Sequence, residues 1–184
     1  MRLLRRTATL LMATSSVQSS TPAYDVVVYG ASGFTGRLAV EYLADRYANQ
    51  GLKWAIAGRS RERLEALKAA VPIIVADATD AASVDAMVAQ TKVLLNYAGS
   101  PYITKALPVV EACARHGTHY VDVTGEVALH RASLSKYDAK AKETGALIVH
   151  SCGYDSIPSD LGYLLASDAY QERYDAQPER ARLL

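Results

Sequence analysis

The chain has 184 residues, half of them hydrophobic, with 20 basic against 19 acidic side chains and a net charge of +1. That length suits one domain with a real core, and the near-neutral balance excludes a protein that grips nucleic acid by charge. No apolar run approaches the ~18–20 residues of a membrane span, and the two cysteines, Cys113 and Cys152, form neither a CxxC pair nor a disulfide framework, which points to a reducing compartment.

Residues 1–23 read as a leader. They hold Arg2, Arg5 and Arg6, many Ser and Thr, and no acid. That is the composition of a mitochondrial presequence, with a disordered leader as the other reading. The apolar stretch Leu10, Leu11, Met12 and Ala13 is too short for a secretory signal. A mitochondrial or cytoplasmic location is expected.

Residues 24–36 read YDVVVYGASGFTG. Val26, Val27, Val28 and Tyr29 predict a buried parallel strand. The glycines that follow have GxxGxxG spacing. Gly30 would let the chain turn sharply, Gly33 would let backbone approach a phosphate, and Gly36 would let the next helix pack closely on the strand. That helix would present free N–H groups and a partial positive charge to an anion, with Ser32 and Thr35 adding hydroxyls. It is predicted to run to about Tyr47, with Leu38, Tyr42 and Leu43 inward.

Beyond it, strand-like and helix-like patterns alternate. Trp54, Ala55, Ile56 and Ala57 make a second strand. Ser60 caps a helix marked by Leu64 and Leu67. Ile73, Ile74, Val75 and Ala76 make the third strand. Asp80 caps a helix with Val84, Met87 and Val88 at helical spacing. Val93, Leu94 and Leu95 are the fourth strand. Ile103, Leu107, Val110 and Ala114 face one way on a helix that Gly117 ends. Tyr120, Val121, Asp122 and Val123 are the fifth strand. Leu134, Tyr137 and Ala141 stripe a helix that Gly145 stops. Ala146, Leu147, Ile148 and Val149 are the sixth strand, and Pro158 suits the first turn of a last helix, with Asp155 and Ser156 as its caps. The pattern predicts an α/β fold, a doubly wound parallel sheet of about six strands (a Rossmann domain) over 24–166, then a polar tail over 167–184.

The cofactor can be read from the strand ends, where such folds bind ligands. An NAD site places a carboxylate after strand two. Here that position reads Gly58, Arg59, Ser60. A carboxylate would repel a ribose 2′-phosphate, whereas Arg59 can grip it bidentately, so NADP is expected over NAD. A solvated basic helix start is the bland reading of Arg59, Arg61 and Arg63. Asp77, after strand three, could accept from an adenine amino group or simply shape a turn. After strand four, Gly99 would admit the nicotinamide ribose and Asn96 could tie the loop.

GASGFTG, AGRS, VVEAC at 109–113, THYVDVTGE at 118–126 and HSCGYDSIPSDLG at 150–162 together resemble the saccharopine dehydrogenase-like oxidoreductases, which include the bacterial trans-acting enoyl reductases. The resemblance covers about residues 24–165. It implies an NADP-binding Rossmann domain, carried onto Gly30, Ser32, Gly33, Phe34, Thr35, Gly36 and Arg59, with Asn96 and Gly99 near the nicotinamide. It also implies a small-molecule or lipid-derived substrate, lipid, glycolipid or amino-acid metabolism, and in animal relatives an association with lipid droplets. Two departures touch the site: Ser100 is an apparent insertion before Pro101 and Tyr102, and Tyr154 stands where Phe is usual. The family continues into a second, substrate-covering domain, so the chain is expected to be the first domain alone, or one that oligomerises, and to turn over poorly by itself.

Other chemistry finds little support. No tyrosine has lysine four residues on, which argues against a short-chain dehydrogenase pair. His116 and His119 read as surface residues, and His130 and His150 as histidines without partners, so no metal is expected. Cys152 reads as a small filler rather than a reactive thiol, and Cys113 as core. Asp122 and Glu126 would shape the crevice. No catalytic residue is assigned. The contrasting reading is a non-catalytic module that senses NADP or binds a partner.

Overall fold

The computed structural model describes residues 21–180. The leader read over 1–23 therefore lies outside the described residues up to position 20. In chain order the elements are β1 (Tyr24–Tyr29), α1 (Phe34–Arg46), β2 (Trp54–Gly58), α2 (Arg61–Glu65), β3 (Ile73–Val75), α3 (Ala81–Val88), β4 (Thr91–Asn96), α4 (Tyr102–Lys105), α5 (Leu107–His116), β5 (His119–Asp122), α6 (Val127–Thr144), β6 (Ile148–Val149) and α7 (Ile157–Tyr174).

The six strands form one sheet in the order β3-β2-β1-β4-β5-β6, and each neighbouring pair is parallel. This is the doubly wound fold that the alternation predicts. The order reverses between β1 and β4, and a crevice opens there at the carboxyl edge. Period-2 side chains split the core across the sheet. Val27 and Tyr29 of β1 join Met87, Val88, Val109, Val110, Cys113 and Tyr120 on one face. Val28 joins Val40, Leu43, Trp54, Ile56 and Leu64 on the other.

Local signals set several boundaries. Ser60 Oγ accepts from the Arg63 N–H at 3.3 Å and caps α2. Asp80 Oδ1 accepts from the Ala82 N–H at 3.1 Å and caps α3. Gly117 and Gly145 end α5 and α6 in left-handed conformations.

Five details differ from the sequence expectation. α1 buries Gly36, Val40 and Leu43, whereas Leu38 and Tyr42 are 53% and 56% exposed. The close approach of the helix at Gly36 sets its rotation, which turns those two outward. α6 likewise buries Leu129, Ser133 and Ala141, and Leu134 is 67% exposed. The single helix expected around Ile103 to Ala114 breaks at Ala106, because Pro108 lacks the N–H that would continue the ladder. Strand six shrinks to the edge pair Ile148 and Val149. Ser156 occupies the N-cap position of α7 without a side-chain cap bond.

α7 buries none of its residues. The boundary read at 166 falls inside it. No described helix is long and apolar enough to cross a membrane.

Candidate functional site

The turn from β1 into α1 is built from backbone. Gly30 has φ +82°, and a Cβ there would stand 2.5 Å from the Ala98 nitrogen and 2.7 Å from the Tyr97 carbonyl carbon. Only glycine therefore lets the loop after β4 lie across the turn. A Cβ at Gly36 would overlap the Gly30 carbonyl oxygen, so the absence of a side chain presses α1 against the turn. Gly33 is the N-cap residue, no side chain caps the helix, and its first turn holds no acid. Uncapped N–H groups at a helix start, with no competing carboxylate, suit an anion.

A cleft of about 260 Å³ opens above this turn and gathers Gly30, Ser32, Gly33, Arg59, Asp77 and Gly99 from four separate loops. Tyr29, Arg63, Thr79, Tyr97 and Lys105 also line it. Burial first, then the neighbouring Asp77 charge, pushes the Tyr29 phenol up to about 12. Of the other sequence-derived residues, Phe34 stands 81% exposed at the start of α1, Thr35 lines a neighbouring trough on α1, Gly36 lies buried in the first turn, and Asn96 is buried below the loop. Arg61 points away and pairs with Glu65 at 3.8 Å. Among the described residues neither Arg59 nor Arg63 has an ion-pair partner, and the residue directly after β2 is Arg59 rather than a carboxylate.

Asp77 serves its turn as well as the cleft. Its Oδ1 accepts from the Thr79 N–H at 2.9 Å and the Thr79 hydroxyl at 2.8 Å. The backbone bond, then the hydroxyl bond, holds its carboxyl below the usual range. Asn96 does tie the loop: its Oδ1 accepts from the Ala98 N–H at 2.8 Å.

The structure adds a buried relay that the sequence reading missed. Asn96 Nδ2 donates to the Tyr120 hydroxyl at 2.9 Å, and that hydroxyl donates to Asp122 Oδ2 at 2.9 Å. His150 Nδ1 meets the same oxygen at 2.7 Å. The other oxygen, Oδ1, accepts from the N–H groups of Thr124 at 3.1 Å and Ser151 at 3.0 Å. Burial acts to raise the Asp122 carboxyl, but the bonds from His150, Ser151 and Thr124 outweigh it and leave the group below its ordinary value. An ionised carboxylate only accepts, so His150 Nδ1–H donates to it. The same burial, with Asp122 beside it, holds the Tyr120 phenol well above its ordinary value.

His130 stacks on His150 with ring centroids 5.1 Å apart, and its Nε2 lies 3.0 Å from Ser151 Oγ. The two histidines read as partnerless therefore stand together, brought there by the start of α6 and the end of β6. His116, read as a surface residue, is exposed, with Nε2 3.3 Å from Asp85. Glu126 accepts from the Tyr102 and Ile103 N–H groups at 2.7 and 3.0 Å, which caps α4 from across the crevice. Cys152 is half-buried, and its thiol is raised by burial and then by Asp122, as expected of an unreactive thiol.

A reversing parallel sheet, an uncapped glycine turn at its switch point, and the guanidinium groups of Arg59 after β2 and Arg63 in α2, unpaired among the described residues, define a dinucleotide-binding domain with the charge for a 2′-phosphate. The profile of the saccharopine dehydrogenase NADP binding domain matches residues 26–149. The chain belongs to this family, and its cofactor is NADP. A trans-acting enoyl reductase of Mycobacterium tuberculosis is 43% identical over 145 residues, covering 75% of this chain and 34% of the relative. One from Mycobacterium ulcerans is 42% identical over 152 residues, covering 79% and 36%. The chain thus spans about a third of the length of the curated relatives it matches. Among solved structures, apo saccharopine dehydrogenase (L-Glu forming) from Saccharomyces cerevisiae shares the fold with a TM-score of 0.64 at 22% identity, covering 83% of this chain and 32% of that one.

Proposed function

We propose that the chain is the coenzyme-holding part of an NADPH-dependent reductase that acts on α,β-unsaturated acyl compounds. The family and the enoyl reductase relatives support this reading. The observation that carries it is the single cleft joining the glycine turn to Arg59, Asp77 and Gly99.

In this reading the N–H groups of the first turn of α1, with Ser32 and Thr35, hold the pyrophosphate. Arg59, helped by Arg63, pairs with the 2′-phosphate. Asp77 accepts from the adenine amino group through the carboxylate oxygen that Thr79 leaves open. Gly99 gives the nicotinamide end room beneath the loop that Asn96 ties, and Phe34 covers the helix start. When bound, the reduced coenzyme supplies a hydride to one alkene carbon while a proton reaches the other. The protein's own task is to fix the coenzyme face and exclude water from it. Mitochondrial delivery by residues 1–23 belongs to the same proposal and is tested by fusing that segment to a reporter; diffuse cytosolic signal would end it.

Titrating the chain with NADPH and NADH, followed by nicotinamide fluorescence, tests the site. Arg59→Ala should weaken NADPH roughly tenfold and leave NADH unchanged, the effect of one lost charge-assisted pair. An unchanged NADPH/NADH ratio would remove Arg59 from the site. NADPH oxidation with an enoyl thioester tests the reaction, and coenzyme binding without turnover in the full-length protein would favour the sensing reading instead.

A further inference from the structure

The rotation of α1 leaves an apolar stripe on its surface. Phe34, Leu38 and Tyr42 recur every four residues and stand 81%, 53% and 56% exposed. A surface helix ordinarily gives such places to polar side chains, as α1 does at Arg37, Glu41 and Asp45. Beside the stripe lies a trough of about 420 Å³ between α1 and the end of β4, walled by Leu38, Ala39, Tyr42, Leu43, Leu95 and Tyr97. We propose that this trough is the acyl-chain site of the reductase: it takes the alkyl tail of a substrate whose reacting head lies at Tyr97, against the coenzyme. The proposal rests on the reductase reading for its substrate class.

Three observations lead there. First, the trough is continuous with the coenzyme cleft. Tyr97 lines both, and the next two residues, Ala98 and Gly99, line the cleft. The stripe likewise begins beside Gly33, the N-cap residue of the anion-binding turn. A molecule seated in the trough therefore ends against the space assigned to the nicotinamide end of the coenzyme. Second, polarity runs one way. Thr35, in the first turn of α1, and Tyr97 bring hydroxyl groups to the cleft end, and Leu38, Ala39, Leu43 and Leu95 follow below them. A polar head with an apolar tail matches that order.

Third, the walls suit an extended chain. From Phe34 to Tyr42 the stripe follows α1 for about 12 Å, at the usual rise of an α-helix. Tyr47 meets the Tyr42 ring edge-on, with centroids 6.3 Å apart, and steadies that wall before any ligand arrives. Covering Leu38 and Tyr42 removes apolar surface from water, which favours an alkyl body over a polar one. Burial, then nearby Cys152, raises the Tyr97 phenol above its ordinary value, so the wall beside the reacting head carries no charge at neutral pH.

The test varies the length of the tail. The 184-residue chain is titrated calorimetrically, with and without NADPH, with the saturated butanoyl and octanoyl esters of N-acetylcysteamine, which bind without reacting. The octanoyl ester should bind about tenfold more tightly, the effect of added methylenes covered on one side. Leu38→Glu should cut that gain to below about threefold and leave NADPH affinity intact. Tyr42→Glu, also at an exposed position, should do the same and decides alone if Leu38→Glu does not fold. Saturation with the octanoyl ester should change the fluorescence of bound NADPH, because the head reaches the coenzyme. Equal affinity of the two esters, no binding of the octanoyl ester at its solubility limit, or a gain that survives both variants would overturn the proposal. So would a native dimer that Leu38→Glu splits, which would show a second copy covering the trough. The reductase reading fails separately. If the full-length protein keeps the length dependence but leaves NADPH unoxidised with the trans-2-octenoyl ester, the acyl site stands without the reaction. Oxidation with equal KM for trans-2-butenoyl and trans-2-octenoyl esters would keep the reaction and remove the site.

Discussion

Around β1 and β2 the carboxyl edge of the sheet is shaped by backbone; around β5 and β6 it is shaped by buried side chains. The first region works by leaving things out. Gly30 and Gly36 have no Cβ where one would strike the chain, and no side chain caps α1. The second region works by filling in. Asn96, Tyr120, Asp122 and His150 hand hydrogen bonds across three strands, and Glu126 reaches over to cap α4. A site of the first kind waits for a ligand to supply the missing partners. One of the second kind is largely satisfied and holds neighbouring loops in register.

The largest expected effect follows from breaking the filled side. Asp122→Ala strands the His150 ring, the Tyr120 hydroxyl and two N–H groups together, and should cost about 3–5 kcal/mol of stability, as removing one partner of a buried charged network does. Urea denaturation measures it. A loss under about 1 kcal/mol would mean that the relay is incidental. Next comes the emptied side. Gly36→Ala puts a methyl group against the Gly30 carbonyl, and backbone cannot swing aside as a flexible side chain can. The expected cost is about 1–3 kcal/mol. NADPH binding should fall with it, because the turn that shifts is the turn that meets the phosphates. Asp122→Ala variants that still fold should lose less NADPH affinity than Gly36→Ala.

The same contrast decides what could be read beforehand. Glycines, an arginine after a strand and the caps Ser60 and Asp80 act within a few residues of themselves, so their spacing discloses them. The doubly wound parallel sheet also followed, because strands that alternate with helices leave few arrangements. The relay was illegible for the opposite reason. Asn96 on β4, Tyr120 on β5 and His150 just past β6 share no local pattern, and each looks ordinary alone. A weak signal existed in the alternation of β5, where Tyr120 and Asp122 point the same way and Asp122 is only 2% exposed. A carboxylate two places from an apolar strand residue, on its buried face, asks for a partner. On α1 and α6 the inward places read for Leu43, Tyr137 and Ala141 hold, whereas Leu38, Tyr42 and Leu134, taken as inward by type, face out. The close approach at Gly36 turns α1 so that Val40 and Leu43 pack instead.

A gentler perturbation sharpens the comparison further. Ser60→Ala removes the cap of α2 beside Arg59 without touching the cleft floor. It should cost about 0.5–1 kcal/mol, the usual worth of an N-cap hydroxyl. If α2 also presents Arg63 to the coenzyme, NADPH should weaken a few-fold while NADH does not; equal weakening of both would assign the loss to general fraying.

Titration of Asp122 is the smallest change, since it leaves every atom of the relay in place. The folded-state value of this carboxyl is held below its ordinary 3.8. The contribution of Asp122 to stability is therefore complete above about pH 5, where the carboxyl is ionised in both folded and unfolded chains, and it fades as pH falls through the lowered folded value. The unfolded chain binds the proton first, so acid favours unfolding. Asp122→Asn cannot take up that proton and should show a shallower loss of stability below about pH 4 than the native chain. Parallel curves for the two proteins would show that the acid sensitivity comes from other carboxylates. The open side offers the internal control. Asp77 is also held below its ordinary value, by Thr79, but it sits at the solvent-facing cleft, where screening weakens its link to folding. Asp77→Asn should leave the acid limb almost unchanged while altering coenzyme binding, the reverse of Asp122→Asn, which separates a residue that holds the fold from one that waits for the ligand.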